Sequence, residues 1–395
     1  MKTTPGGILP VEEIFGRDAF VKHLWTTLER NSVRMEAERR IGKTCILRKM
    51  EAQPRKDWEA VFLDLEKVHS AAEFAELVCG EVRKRLTAWK RQSGRVLEFL
   101  QSLGGTEVGG FKFPAKKDRP DGYWKNLLTH TVDDLVEQQT HAGRRVVFLF
   151  DELPWMLSAI ADIERDGPTI AMEVLDVLRA LRQSPTTGAG FRMILCGSIG
   201  LHHILGELAG RGYRNQPVND MILVEVPPLD PDSAKGLAAA LIAGENLVAE
   251  PEVAAHIAKR TGGFAYYIHW IVNALKRDGR AATSGNEDEV VRQMLTAAHD
   301  PCDLRHFLTR IDKYYPHDKK AAFALLDHSA KAAEPLGVAD LINVAKSAGS
   351  TDDDRVRELL RLLAVDHYLL RDTDGRYTFR HALLREWWLG ERGVV

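Results

Sequence analysis

From Val33 to Thr44 the chain runs a short apolar strand into Ala37-Glu38-Arg39-Arg40-Ile41-Gly42-Lys43-Thr44, then into a helical pattern. Strand, glycine-containing loop, Lys-Thr and helix N-terminus form an anion cradle. Backbone N–H groups of the loop face phosphate oxygens, Lys43 reaches the β and γ phosphates, and the Thr44 hydroxyl is placed to ligate Mg2+. Arg39, Arg40, Ile41, Gly42 and Cys45 complete the predicted contact stretch. The full G-x-x-x-x-G-K-[ST] pattern has glycine where this chain has Ala37, and alanine tolerates positive φ poorly, so the turn is expected to be altered or nucleotide binding weakened.

About a hundred residues later Phe148-Leu149-Phe150-Asp151-Glu152 ends an apolar run on two acids. A buried strand that ends this way delivers carboxylates to the edge where open α/β sheets bind ligands. Asp151 suits the Mg2+ shell, and Glu152 suits the general base that orients and deprotonates water. Binding alone needs no base, so the pair points to hydrolysis.

From about residue 33 to 226 short apolar strands alternate with amphipathic helices, which predicts an α/β layer with a mostly parallel sheet. The predicted strands are Val33 to Ala37, Ala60 to Leu65, Val146 to Phe150, Arg192 to Cys196 and Ile222 to Val226. Helices are expected near 71–90 and 122–140, with a Gly- and Lys-rich loop between them. After Pro227 apolar residues recur at helical spacing, with Asp230 or Asp232 as N-cap and a break at Thr261-Gly262-Gly263. A polar linker is read at about 278–300. Helices at roughly 319–330, 338–347 and 353–365 follow, then two short strands around Asp372-Thr373-Asp374-Gly375, where Asp-Gly is a hairpin signal. The division expected is 1–226 nucleotide core, 227–300 helical lid and linker, and 301–395 winged helix.

Three further groups are candidates. Ser198, after the strand ending at Cys196, would sense the γ-phosphate or position water if that strand is adjacent; capping the helix near Leu201 is the plainer reading. Arg211 and Arg214, in a glycine-broken loop, would stabilise transition-state charge in cis or trans, or else are solvated. Trp387-Trp388 either face a partner or pack a last helix with Leu383-Leu384.

The 395 residues are 45% hydrophobic and 28% charged, ordinary for a globular chain of two or three domains. A formal net charge of −2 supplies no field toward nucleic acid or an anionic membrane. Four cysteines lack zinc spacing and read as reduced thiols. The first residues lack a signal-peptide apolar stretch, and no apolar run approaches the roughly 18 residues of a membrane span. No membrane contact and a cytoplasmic address are expected.

Ile14-Phe15-Gly16-Arg17-Asp18, Glu38 to Thr44, Phe150-Asp151-Glu152-Leu153-Pro154-Trp155 and Gly197-Ser198 together resemble the archaeal-type P-loop ATPases. These belong to the signal-transduction ATPases with numerous domains (STAND) and are related to AAA+ proteins such as the origin-recognition ATPases. The resemblance covers nearly the whole chain. It implies an AAA+-like core, a helical lid, a C-terminal winged helix, ATP as the nucleotide, and Gly16 and Arg17 near the adenine. Phe264-Ala265 stands where a lid proline is frequent, and Ala37 where many members carry glycine.

Three whole-protein readings follow. The first is an ATP-driven switch in which nucleotide closes the lid and the winged helix engages DNA, a protein or further copies of this chain. The others are a nucleotide-binding scaffold with little turnover and an origin-recognition-like DNA-binding ATPase. Asp352-Asp353-Asp354 opens the helix that would enter a DNA groove, which is good helix-dipole chemistry but poor groove chemistry. Arg371, Arg376, Arg380 and Arg385 in and after the hairpin would suit a phosphate backbone.

Overall fold

The computed structural model describes every residue except 88–93, 105, 108, 109, 112, 198, 199, 351 and 395. Contacts divide the chain into two units. One is Arg17–Ala37 with Lys43–Val226; the other is Met1–Gly16, Glu38–Gly42 and Pro227–Val395.

In chain order the first unit contains α1 (Asp18–Leu28), β1 (Val33–Glu36), α2 (Lys43–Ala52), β2 (Trp58–Asp64), α3 (Ala71–Arg83), α4 (Arg95–Ser102), β3 (Thr106–Glu107) and β4 (Gly110–Phe111). It continues with α5 (Tyr123–His141), β5 (Arg145–Asp151), α6 (Leu153–Ile163), α7 (Gly167–Gln183), β6 (Phe191–Cys196), α8 (Leu201–Gly210) and β7 (Ile222–Glu225). Five strands form a parallel sheet in the order β2-β5-β6-β1-β7. β5 is fully buried from Val146 to Phe150, which is why it reads as a continuous apolar run instead of an alternating one.

The expected strands are present within two residues at each end, but the stretch read as a loop holds α4 and the β3-β4 hairpin. The N-terminus of α4 is held by a group from elsewhere. Backbone N–H groups of Arg95 and Val96 donate to the two carboxylate oxygens of Asp134 on α5, each at 3.1 Å. A helix capped by a side chain some forty positions away carries no local start signal.

The second unit contains α9 (Pro231–Gly244), α10 (Val253–Arg260), α11 (Ala265–Arg277), α12 (Ser284–Thr296), α13 (His306–Tyr314), α14 (Lys319–Lys331), α15 (Val338–Ser347), α16 (Asp353–Val365), β8 (Leu369–Arg371), β9 (Tyr377–Phe379) and α17 (Ala382–Arg392). Asp230 caps α9 by accepting the Ser233 N–H at 2.9 Å. Between α10 and α11 Gly263 has φ +79°, and a Cβ there would lie 2.3 Å from the Leu229 carbonyl oxygen, so only glycine fits this break.

The linker read at 278–300 is largely helix. Its polar run is the first turn of α12, capped by the Thr283 hydroxyl accepting from Asn286 N–H, and Val290, Val291 and Met294 form its buried face. Helix α13 was likewise absent from the sequence reading. The three helices α14, α15 and α16 lie where expected, and β8 pairs antiparallel with β9 across the Asp-Gly turn. Trp387 and Trp388 are buried, with the Trp388 indole N–H donating to Asp327 at 2.8 Å, so packing is their role.

His269 on α11 is buried and accepts the Thr4 N–H at its Nδ1, 3.1 Å away. Burial pulls its pKa down to about 4. The unfolded chain therefore binds a proton that the folded chain refuses between the ordinary histidine value and about 4, so stability falls as pH drops through that window. Between about pH 7.5 and about pH 5 this histidine is expected to remove about 2 kcal/mol of unfolding free energy. Urea unfolding of His269→Asn, which retains an acceptor, should show that much less loss than wild type; equal losses would refute the assignment.

Candidate functional site

The loop after β1 turns through two left-handed residues, Arg40 (φ +68°) and Gly42 (φ +100°). Ala37 is not among the positive-φ residues, so the missing glycine costs this turn nothing. That corrects the expectation of a distortion at Ala37. The conformational demand falls on Arg40 instead, where a side chain in this region costs roughly 1–2 kcal/mol. A Cβ on Gly42 would meet nothing within 4 Å, so its glycine serves φ and not space.

Lys43 and Thr44 open α2, and Asp151 closes β5. Packing brings the Thr44 hydroxyl to 2.6 Å from Asp151 Oδ2. The buried Lys43 ammonium donates to the Ala37 carbonyl at 3.2 Å, curling the loop over its own lysine. Asp151 is 3% exposed, and burial raises its pKa against the opposing hydrogen bond from Thr44. Its Oδ1 atom is buried and accepts no hydrogen bond among the described residues. Glu152 follows at φ +59° as the residue preceding α6, so the chain turns sharply where strand becomes helix.

Asp64, missed from the sequence, ends β2 directly beside Asp151 in register and is exposed. The signal was present: Val61-Phe62-Leu63-Asp64 is a second apolar run ending on an acid. β6 lies between β5 and β1, so the strand before Gly197 is adjacent to the acidic strand. Ser198 itself lies outside the described residues, and α8 is preceded by Gly200 as its N-cap.

No protein-family model and no curated protein matches this sequence. Solved structures do match. A Walker-type ATPase of Pyrococcus abyssi superposes with a TM-score of 0.63 at 13% identity, over 98% of both chains. The ORC2 protein of Aeropyrum pernix, in its ADPNP–ADP complexes, gives a TM-score of 0.53 at 13% identity over 99% of this chain and 98% of that one. The fold is that of the archaeal-type, AAA+-like P-loop ATPases.

Within this P-loop ATPase fold the segment Glu38–Gly42 groups with residues 227–395, whereas Lys43 and Thr44 group with the sheet. Its side chains explain why. Arg39 Nε lies 2.7 Å and Arg40 Nη2 3.1 Å from the same oxygen of Asp303, and the Arg40 guanidinium stacks 4.7 Å from the Tyr266 ring centre. Glu38 Oε1 lies 3.1 Å from His381 Nε2. Three side chains of this loop are thus held by residues more than two hundred positions further along the chain, and Asp303, Tyr266 and His381 had no signal in the sequence.

The other candidates separate. Gly16 (φ +65°) packs against the start of α9, where a Cβ would come within 2.8 Å of Ser233 Cβ. Arg17 is 4% exposed, its pKa lowered to about 10 by burial, and it interacts electrostatically with Cys45 on α2. Burial pushes the Cys45 thiol pKa up against the opposing pull of Arg17 and Arg48. Arg211 is exposed and pairs with Glu207 one turn back at 3.0 Å, and Arg214 is exposed.

A hydroxyl and a carboxylate with a bare oxygen are hard donors that fit Mg2+. Thr44 and Asp151 would hold it, with Lys43 beside them. Bound there, the ion would neutralise charge on phosphate oxygens. Among the described residues no helix is long and apolar enough to cross a membrane.

Proposed function

We propose that this chain binds ATP with Mg2+ and hydrolyses it as a cytoplasmic molecular switch. The observation that carries the ATPase reading is the junction of Thr44 with Asp151, a buried carboxylate whose Oδ1 takes no hydrogen bond of ordinary geometry among the described residues, followed at once by Glu152. Lys43 binds the β and γ phosphates once they displace the Ala37 carbonyl from its ammonium, and Glu152 orients and deprotonates the attacking water. Ser198 senses the γ-phosphate, Gly16 and Arg17 lie near the adenine, Cys45 belongs to the phosphate-contacting stretch, and Arg211 and Arg214, being exposed, act on a neighbouring copy.

The grip on Glu38, Arg39 and Arg40 favours a switch over a passive scaffold. Incoming phosphate and Asp303 are both anions that compete for the same two arginines. Nucleotide arrival therefore loosens the hold of residues 227–395 on the loop, and this change alters how the C-terminal winged helix, residues 301–395, engages a partner. Asp303→Asn tests the competition. Asparagine suits the left-handed conformation of Asp303 (φ +57°), so the turn persists while the charge is lost. Pairs this exposed are worth up to about 1 kcal/mol, so ATP binding measured calorimetrically should tighten by up to about fivefold. Unchanged or weaker binding would sink the competition while leaving the ATPase reading intact.

The partner is DNA or protein. Asp352 caps α16 by accepting from the Asp354 and Arg355 N–H groups, and Arg385 donates to the Ala330 carbonyl, so the basic candidates are Arg371, Arg376 and Arg380. ATP-dependent duplex binding at about 50 mM salt that weakens steeply with added salt supports DNA. No shift there assigns the domain to a protein partner or to self-assembly.

Steady-state phosphate release from pure protein, with and without duplex DNA, tests turnover. No release above that of a Glu152→Gln control supports the scaffold instead.

A further inference from the structure

Helices α10 and α12 carry a group of side chains unrelated to nucleotide. Glu287, in the first turns of α12, is fully buried, and neither of its carboxylate oxygens accepts a hydrogen bond among the described residues. A buried carboxylate without donors is costly, so something must compensate it. His256 on α10 approaches it, with Nδ1 3.0 Å from Glu287 Oε2 and a side chain that is only part-exposed. Asp288 completes the group: single ligand atoms of His256, Glu287 and Asp288 all lie within 4.8 Å of one another.

Two ligand atoms bound to one ion at about 2.0–2.2 Å in tetrahedral geometry lie roughly 3.3 to 3.6 Å apart, and His256 Nδ1 and Glu287 Oε2, 3.0 Å apart, need only part slightly to admit the ion between them. One neutral imidazole and two carboxylates balance a double positive charge. Asp288 also lines a cavity of about 520 Å3 with Arg260, Arg292 and Trp387, which gives an ion a route from solvent and a place for a water ligand.

We propose that His256, Glu287 and Asp288 bind a divalent transition-metal ion of the zinc class. Mixed nitrogen and carboxylate donors select such an ion over Mg2+ or Ca2+, which prefer oxygen alone. The ion clips α10 to α12, and Asp288 and the cavity keep one coordination position open. It is separate from the Mg2+ proposed at Thr44 and Asp151, since the two sites share no residue.

The test uses the full-length, untagged chain, stripped with a chelator and free of nucleotide. Co2+ is titrated while its visible absorption is followed, and Zn2+ while the melting temperature is followed. Wild type is expected to show a Co2+ band saturating at one equivalent and a melting temperature that rises with Zn2+. Asp288→Asn alters an exposed side chain and leaves the His256–Glu287 contact in place, so it should fold as wild type by circular dichroism. Its Co2+ affinity should fall at least about tenfold, the loss seen on removing even an outer partner of a metal ligand. His256→Asn should abolish the band. The proposal is overturned if wild type shows no such band, which leaves a plain His256–Glu287 ion pair, or if Asp288→Asn or His256→Asn binds Co2+ as wild type does.

Discussion

Glu152→Gln is expected to bind ATP with wild-type affinity and to release phosphate about 10²–10⁴-fold more slowly, the range of a lost general base. The geometry makes the substitution clean. Glu152 stands at φ +59° between the buried strand β5 and α6, so its backbone is set by the elements on either side. Glutamine keeps the length and shape of the side chain and removes only the basic oxygen. Asp151, the Thr44 hydroxyl and Lys43 stay in place, so the phosphate contacts survive. A drop in kcat with an unchanged ATP dissociation constant is the required pattern. Phosphate release equal to wild type would remove Glu152 from the role of base, and loss of binding would make it a structural residue of the turn.

Lys43→Ala is expected to do the opposite: weaken ATP binding by roughly 10- to 150-fold and leave the fold standing. A hydrogen bond to a charged group contributes about 1.5–3 kcal/mol, which converts to that factor. In the absence of nucleotide the buried ammonium is held by the Ala37 carbonyl, so truncation removes one hydrogen bond and one buried charge together. Those two effects oppose, and the melting temperature without nucleotide should stay within a few degrees of wild type. Stabilisation by ATP, which grows with the ratio of ligand to dissociation constant, should then shrink. A variant that is stabilised by ATP as strongly as wild type would show that Lys43 does not touch the phosphates.

Much of the fold was legible because its signals are local. The five strands read as strands through apolar runs bounded by polar turns, and parallel pairing followed from the helices between them. Asp230 and the Asp-Gly turn announced the start of α9 and the β8-β9 hairpin in the same way. The candidate site was legible for a related reason: Lys43, Thr44, Asp151 and Glu152 sit at junctions of strand and helix, where the sheet's own geometry delivers them to one edge.

The failures have a single physical origin. The polar run at 284–288 looked like linker because Glu287 and its neighbours are hydrophilic, yet Glu287 is fully buried and the helix is anchored by residues after it. Helix α4 was hidden because its cap, Asp134, comes from α5. Arg39 and Arg40 carry a local signal for phosphate through their position in the loop, but none for Asp303, with which they pair in the folded chain. Ala37 reads as a defect because a motif names residues and not dihedral angles; in the folded loop the positive φ values belong to Arg40 and Gly42.

The sequence by itself therefore determined the periodic elements, their order and the four residues placed at strand and helix ends, since each depends on neighbours within a turn or two of the chain. Only the tertiary structure decided which charges meet. The grip of Asp303, Tyr266 and His381 on the phosphate loop, and the burial of Glu287 beside His256, join positions far apart in sequence. Charge pairing at such separations is set by packing of the elements that carry the groups, and no local pattern records it.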